Sequence, residues 1–486
     1  MRPLTLEEMV IAIEGRVYGT ISAPSVTSIS TDTRDLKSGA LFFALKGENH
    51  DGHAFVAQAL ESGAIAAVIS DISGVPVKYQ TGGRIIQVSD TVVALGRLAA
   101  WYRKQFAAQV IGVVGSNGKT TTKDMIATVL SHKRRGRAAH SSFNNHIGVP
   151  MTLLSVEPSD EFVVVEIGTN HPGEIIALGR IARPDIAVVT SIGEEHLEFF
   201  GNLEGVAGEE FSILSAMRDR AFVAMSTQAA EYAAGPVREQ FTMLTYGVDD
   251  EPRQSGVAGP DLRATEIVTT AEHQEFKVNG RFPYRLPVLG RHNVVNSLAA
   301  VAVATRFRMT HVDIAAAMLD IQLPPMRMQR QRLGPFTVIN DAYNANPSSM
   351  KIAFEVMDSL HDEPRAGGMA SGRKVFILGD MRELGDQSSR CHQMVGREAG
   401  RSSARVVIAV GAMARVVADG ATATAGTTKR IYSFPTIEAL SERLGDLLEP
   451  GDTILLKASR GSRLERLLEP MEKAVGRLRS TIGGPA

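Results

Sequence analysis

Four stretches between Val110 and Ser226, "VIGVVG", "EFVVVEIG", "DIAVVTSIG" and "AFVAMS", are apolar without alternation, and segments of helical character separate them. Strands apolar on both faces belong in a parallel sheet covered by helices on both sides. The segment after Gly118 supports this, because Met125, Ile126, Val129 and Leu130 fall on one helical face. Upstream, "ALFFAL", "AAVIS" and "RIIQV" read as short strands mixed with helices, and residues 31–47 run polar and turn-rich before becoming apolar. Residues 245–290 are less regular and rich in Gly, Pro and Thr, whereas "NVVNSLAAVAVATRF" (293–307) is strongly helical. The Pro pair in "IQLPPMRMQRQRLGPF" (321–336) marks a domain junction. Beyond it "FTVINDAYN", "KVFILGD", "RVVIAVG" and "DTILLKAS" restart the alternation of strand and helix. Patches rich in Gly, Ala, Ser and Thr near 365–373 and 418–428 read as surface loops, and no internal repeat is found.

A chain of 486 residues is longer than a single core supports. The predicted architecture is therefore α/β in three domains, 1–106, 107–332 and 333–486. Hydrophobic residues at 44% and charged residues at 22% are ordinary for a globular protein, and a net charge of -1 gives no reason to expect a nucleic-acid partner. The one basic run, "HKRRGR" (132–137), reads as a solvated helix end whose cations complement the helix dipole. Cys391 is the only cysteine, which excludes an intrachain disulfide and a Cys-rich metal site. No apolar run approaches the roughly 20 residues that span a bilayer, and "MRPLTLEEMV" lacks a signal-peptide core. A cytoplasmic protein without membrane insertion is expected.

The candidate chemistry starts at "GVVGSNGKTTT" (112–122), between a predicted strand and a predicted helix. Gly115, Ser116, Asn117 and Gly118 would turn consecutive N–H groups toward an anion at a helix N-terminus. Lys119 is placed to reach the β- and γ-phosphates of a nucleotide, and Thr120, with Thr121 beside it, to ligate magnesium. The usual P-loop has four residues between its glycines; here there are two, with Val113 where the first glycine would sit. By that pattern alone the loop fails as a P-loop, and an ordinary strand–helix turn is the other reading. Glu166 ends the apolar "VVVEIGTN", where an unpaired carboxylate is costly, so it is either a metal ligand or half of a buried salt bridge. His196 follows the next strand in "VVTSIGEEHLEFFG" and, taken alone, is either a ligand or an unremarkable polar residue.

The blocks "GSNGKTTTKDM", "FNNHIGVPMTLL", "EIGTNHPGEI", "TSIGEEHLEFFG", "LGRHNVVNSLAAVA", "DAYNANPSSMKIAFEVM", "LGDMRELGDQS" and "LLKASRGSRLERL" occur in that order. Together they resemble the Mur ligases of peptidoglycan synthesis, from about residue 28 to 468, and the short GxxGK[ST] loop is the form that family uses. The last blocks are most similar to the branch that adds D-alanyl-D-alanine. The resemblance implies an N-terminal UDP-sugar-binding domain, a central P-loop ATPase-like parallel sheet and a C-terminal Rossmann-like ligase domain. It also implies ATP and Mg2+ as cofactors, UDP-MurNAc-tripeptide and D-Ala-D-Ala as substrates, and a monomer.

Carried over by position, the resemblance gives Lys119 and Thr120 the γ-phosphate and a first magnesium, Glu166 a metal-binding role and His196 a second magnesium. Asn293 and Asn296 would lie near the adenine, Asp341 at the ribose hydroxyls and Arg327 at the phosphates. Thr33 and Arg34 in "TDTR" would approach the UDP-sugar, and Asn144 and Asn145 would line the cleft. "GDMRELG" (379–385) and "KASRG" (457–461) would face that cleft, and His171 is a candidate base for the amine. The family usually carries a carbamylated lysine about fourteen residues past the histidine; this chain has Glu210 there, beside Glu209. A glutamate offers similar charge on a shorter arm without bound carbon dioxide, so Glu210 is expected to ligate magnesium.

The implied chemistry activates a carboxylate as an acyl phosphate before an amine attacks, which needs positioning and charge neutralisation and no protein nucleophile. Three other readings stand beside it. A diaminopimelate-adding sibling usually carries "DNPR", absent here. Folylpolyglutamate synthetase shares the loop without the pair "DAYNANPSSM" and "GDMRELG". A nucleotide-driven binding module would join nothing.

Overall fold

The computed structural model describes residues 1–473 apart from 22–24, 48–49, 234–238, 250–258, 271 and 361–371. The first sheet contains β1 (Arg16–Gly19), β2 (Ser28–Ser30), β3 (Ala40–Phe43), β4 (Ala66–Ile69) and β5 (Gly82–Gln87) in the order β1-β5-β4-β3-β2. All its pairs are parallel except β1 with β5. The second sheet contains β6 (Gln109–Val114), β7 (Gly136–Ala138), β8 (Phe162–Glu166), β9 (Ile186–Val189) and β10 (Phe222–Ser226). It continues through β11 (Thr242–Val248), β12 (Leu262–Thr269), β13 (Gln274–Val278) and β14 (Phe282–Leu286), giving the order β14-β13-β12-β11-β10-β9-β6-β8-β7. The third sheet, ordered β15-β16-β20-β17-β18-β19, contains β15 (Gln329–Leu333), β16 (Phe336–Asp341), β17 (Lys374–Leu378), β18 (Val406–Val410), β19 (Arg430–Phe434) and β20 (Thr453–Lys457).

The apolar runs read from the sequence are these strands, and β8, β9, β10, β17 and β18 are buried along their whole length. Strand β6 lies between β8 and β9, so the chain leaves it first to one side and then to the other. That switch point opens a crevice at the C-terminal strand ends, where ligands bind in open α/β sheets. One core runs without interruption from Leu41, Phe43 and Ile86 of the first sheet through Leu95 and Leu98 to Val110, Val165 and Val189 of the second. The helix Thr91–Arg103, capped by Asp90, carries that continuity.

Several readings of the sequence change here. The irregular stretch 245–290 holds most of β11 and all of β12, β13 and β14, the last three pairing antiparallel. Their burial alternates, with Phe276, Val278, Tyr284 and Leu286 inward, so these half-exposed strands lack a continuous apolar run. The junction at 321–336 contains β15, which pairs antiparallel with β16, and the boundary expected after residue 332 falls inside it. The run 132–137 lies beyond the helix Lys119–Ser131 and is held in ion pairs: Lys133 with Asp313, Arg134 with Glu161, Arg135 with Glu157 and Arg137 with Asp160. Residues 418–422 of the second small-residue patch close the helix Ala414–Thr422; of the first patch, 365–371 lie outside the described residues.

Candidate active site

The loop after β6 turns because Gly115 and Gly118 adopt φ values of +120° and +83°. A Cβ at Gly115 would meet Thr190 Oγ1 at 2.3 Å, and one at Gly118 would meet Asn296 Oδ1 at 2.6 Å. Glycine is needed at both for conformation and for space. The strand ends brace the loop: Ser116 N donates to Ser191 O at 2.8 Å, Asn117 N to Ser191 Oγ at 3.0 Å, and Thr190 Oγ1 to Asn117 O at 2.6 Å. Lys119 opens the helix and bends its Nζ back to Gly115 O at 2.5 Å, with Glu195 Oε2 3.7 Å away.

Around that ammonium stand Glu166, 1% exposed at the end of β8, Glu195 at 6% and Glu210 at 0%. Burial works against the Lys119 charge, yet Glu195, Glu210 and Glu166 outweigh it and raise the lysine's pKa. Burial pushes the Glu210 carboxyl well above the usual range, with Glu195 adding to the rise against the pull of Lys119. Each of these three carboxyl groups has one buried oxygen that accepts no hydrogen bond: Glu166 Oε2, Glu195 Oε1 and Glu210 Oε1. The other oxygen of Glu166 accepts from Asn144 Nδ2 at 2.9 Å. Unpartnered buried carboxylate oxygens suit a hard divalent cation. Among the described residues no three Asp, Glu, His or Cys side chains form a complete metal cage. Magnesium, which keeps waters and takes oxygens from nucleotide phosphates, needs only one or two protein ligands.

A cavity of about 360 Å³ opens over the loop. The central sheet contributes Ser116, Asn117, Gly118, Lys119, Thr120, Thr121, Asn144, Asn145, Glu166, His196, Asn293 and Asn296 to its lining, and the opposite wall is Arg327, Asp341, Tyr343 and Lys457. Arg327 donates to Thr120 Oγ1 at 2.9 Å, its guanidinium 4.3 Å from the centre of the Tyr343 ring. Asp341, at the end of β16, pairs with Lys457, at the end of β20, at 2.7 Å. Asn117 Nδ2 donates to Ser348 Oγ at 2.9 Å, and Asn346 Nδ2 donates to Asn117 Oδ1 at 3.0 Å. His196 has left-handed backbone (φ +47°), and its Nδ1 lies 2.7 Å from Glu383 Oε2, off the hydrogen-bond direction. The neighbouring His196 holds the Glu383 carboxyl below its ordinary range despite burial.

The expected residues therefore converge apart from Thr33, Arg34, Glu210 and His171, the last exposed beside Glu174 at 3.8 Å and lining neither this cavity nor the one next to it. Thr33 and Arg34 lie on the loop after β2 and do not line this cavity; Arg34 is exposed and bound to Asp32 at 2.5 Å. Glu210 sits behind the loop, where its Oε2 accepts from Gly115 N at 2.6 Å, and does not line the cavity. Asn145 lines it, but its side-chain oxygen accepts from Ile147 N and Gly148 N at the start of the helix Gly148–Leu154. Sequence reasoning missed Glu195, whose only signal is a second carboxylate before His196, and His292, whose ring lies against Gly290. A second cavity, about 240 Å³, shares Glu195, His196, Asn344 and Glu383 with the first and adds Arg382 and Arg460. "GDMRELG" and "KASRG" meet there: the Arg382 guanidinium lies so flat on Gly461 that a Cβ would come within 2.2 Å of its Cζ.

Three segments match known family descriptions: "Mur ligase family, catalytic domain" over 25–103, "Mur ligase middle domain" over 113–304 and "Mur ligase, glutamate ligase domain" over 326–460. A curated protein of Bacillus subtilis (strain 168), named UDP-N-acetylmuramoyl-tripeptide--D-alanyl-D-alanine ligase, is 34% identical over 94% of this chain and 96% of its own length. The chain belongs to the Mur ligase family. The Escherichia coli (strain K12) protein of the same name is 32% identical over 97% of the chain and 99% of its own. Among solved Mur ligases, MurF from Acinetobacter baumannii superposes with a TM-score of 0.84 at 30% identity, covering 97% of this chain and 99% of its own. MurF from Thermotoga maritima, solved in complex with ADP, gives 0.76 at 25% identity, covering 93% and 99%.

Proposed function

We propose that this Mur ligase joins D-Ala-D-Ala to UDP-MurNAc-tripeptide in the cytoplasm, with cleavage of ATP to ADP and phosphate. The observation that carries the reading is one chamber shared by the phosphate loop, a set of unpartnered carboxylates and the strand ends of the third sheet. The names of the curated relatives supply the substrates. The three sheets would act as three units, for UDP-sugar, nucleotide and amine, with the last junction near 321–328 rather than at 332. Among the described residues no helix is long and apolar enough to cross a membrane.

Lys119 and the N–H groups of Gly118 to Thr121 would hold the β- and γ-phosphates, with Arg327 reaching them from the opposite wall. Asp341 would take the ribose hydroxyls, and Asn293 and Asn296 would sit at the base. Thr120, Glu166 and His196 would hold magnesium, and Glu210 would act on the site through the loop it props. Bound there, magnesium would offset charge on the phosphates. The acceptor's carboxylate oxygen attacks the γ-phosphorus, the bond to ADP breaks, and an acyl phosphate forms. The amine nitrogen then attacks the acyl carbon, the C–O bond to phosphate breaks, and the nitrogen gives up a proton. Asn144 and Asn145 would flank the acceptor. Arg382 and Arg460 would bind the dipeptide carboxylate in the second cavity, leaving Glu383 and Glu195 near its ammonium.

The test is phosphate release from ATP and magnesium with UDP-MurNAc-tripeptide present, with and without D-Ala-D-Ala, and the product weighed by mass spectrometry. Turnover should need both substrates and yield the pentapeptide. Turnover with a single amino acid in place of the dipeptide would refute the substrate assignment. Silence with every amine would refute the ligase reading.

A further inference from the structure

Lys123 is 1% exposed, one turn into the helix that Lys119 begins. A fully buried lysine is rare unless its charge is satisfied, and this one has a specific set of partners. Its Nζ donates to Ala139 O and to Ser141 O, both at 2.6 Å, and lies 2.8 Å from Asp124 Oδ1. Those carbonyls open the loop 139–147, and Ser141 takes a left-handed φ of +50° between them and the residues that follow. The far end of the loop is fixed by Asn145, whose Oδ1 accepts from Ile147 N and Gly148 N. Between the two anchors Asn144 has little freedom: its O accepts from Gly168 N at 3.0 Å, and its Nδ2 donates to Glu166 Oε1 at 2.9 Å. A Cβ at Gly168 would strike the Asn144 amide at 2.6 Å, so the two segments are in close contact.

We infer that Lys123 is a positioning residue: by gripping Ala139 O and Ser141 O it sets Asn144 against Glu166, which leaves Glu166 Oε2 as the oxygen presented to a cation. A methionine of similar length would fill the space but leave two buried carbonyls without donors. The inference rests on the proposed role of Glu166 and adds to it the route by which that carboxylate is oriented. An outer residue that orients a ligand in this way typically changes metal affinity by about 10- to 100-fold when removed.

The test compares wild type with Lys123→Gln, Asn144→Ala and the double variant, with Lys123→Met as a second choice should Lys123→Gln not melt cooperatively. Hydrogen exchange should rise across 139–148 and at Gly168 in the Lys123 variant while β17 to β20 keep their protection. Manganese affinity, read by electron paramagnetic resonance with ADP present, should fall about tenfold in each single variant and no more than about twofold further in the double. Unchanged exchange in the loop, or manganese losses that multiply in the double variant, would overturn the inference. Wild-type silence in the phosphate assay would instead overturn the ligase reading, and the exchange result would still decide whether Lys123 sets the loop.

Discussion

Glu210 Oε2 accepts a hydrogen bond from Gly115 N at 2.6 Å, across 95 residues of sequence. The helix Leu203–Phe211 thus props the phosphate loop from behind with a carboxyl group that also faces Lys119. Lysine at this position would set a second ammonium beside Lys119 unless carbon dioxide converted it to an anion. Glu210→Lys should therefore lose at least about tenfold in kcat in carbon-dioxide-free buffer and regain part of it with added bicarbonate. Glu210→Gln, unable to take up carbon dioxide, should be impaired most at limiting magnesium and be indifferent to bicarbonate. A lysine variant fully active without bicarbonate would show that no anion is needed there.

Asn346 does two things at once. Its Oδ1 caps the helix Pro347–Ser359 at Ser349 N, and its Nδ2 binds Asn117 inside the phosphate loop. Asn346→Ser keeps a competent cap and loses the contact with the loop, whereas Asn346→Ala loses both. The alanine variant should cost about 1 kcal/mol more in urea unfolding than the serine variant, while ADP affinity falls similarly in the two. Equal stability of the two would place the cap contribution elsewhere.

Arg382 has its guanidinium laid over Gly461, so a methyl group at 461 must push it aside. Arg382→Gln and Gly461→Ala should both raise the KM for D-Ala-D-Ala, by about tenfold for the charge loss, with the KM for ATP within about twofold of wild type. Steady-state kinetics varying one substrate at a time would read this. A rise confined to ATP would move the carboxylate site out of the second cavity.

Burial lowers the pKa of His292 from 6.5 to about 4, with Lys457 adding to the effect and Asp341 opposing it. The unfolded chain then binds a proton that the native ring refuses, so stability is lost as pH falls from about 6.5 toward 4. The full penalty is bounded by about 3 kcal/mol, and less is expected because the ring edge opens on the cavity. His292→Asn should flatten the fall in Tm between pH 7 and 5. An unchanged slope would show that other groups set it.

Strands β8, β9, β10, β17 and β18 were legible because each is buried on both faces and so apolar nearly throughout, as in Phe162–Glu166. The phosphate loop was legible because its glycines answer a local geometric need at Gly115 and Gly118. Strands β12 to β14 were hidden by the opposite circumstance: one face meets water, and charged residues such as Glu275, Lys277 and Arg285 interrupt the pattern. Glu195 and Lys123 were hidden for another reason. Their roles depend on neighbours brought together by folding, Lys119 in one case and the carbonyls of 139 and 141 in the other.

Among the described residues the uninterrupted core from Leu41 to Val189 has no counterpart at the other junction. Among the described residues the two cores of the third sheet take Leu289 and the half-buried Leu323 from the central side, and much of that boundary is amide, guanidinium and imidazole contact at Asn117, Arg327 and His196. On heating in a calorimeter, the first two sheets should melt as one cooperative block and the third as another. A nucleotide gripped from both walls of the cavity adds its binding free energy to each block, and should draw the two transitions into one.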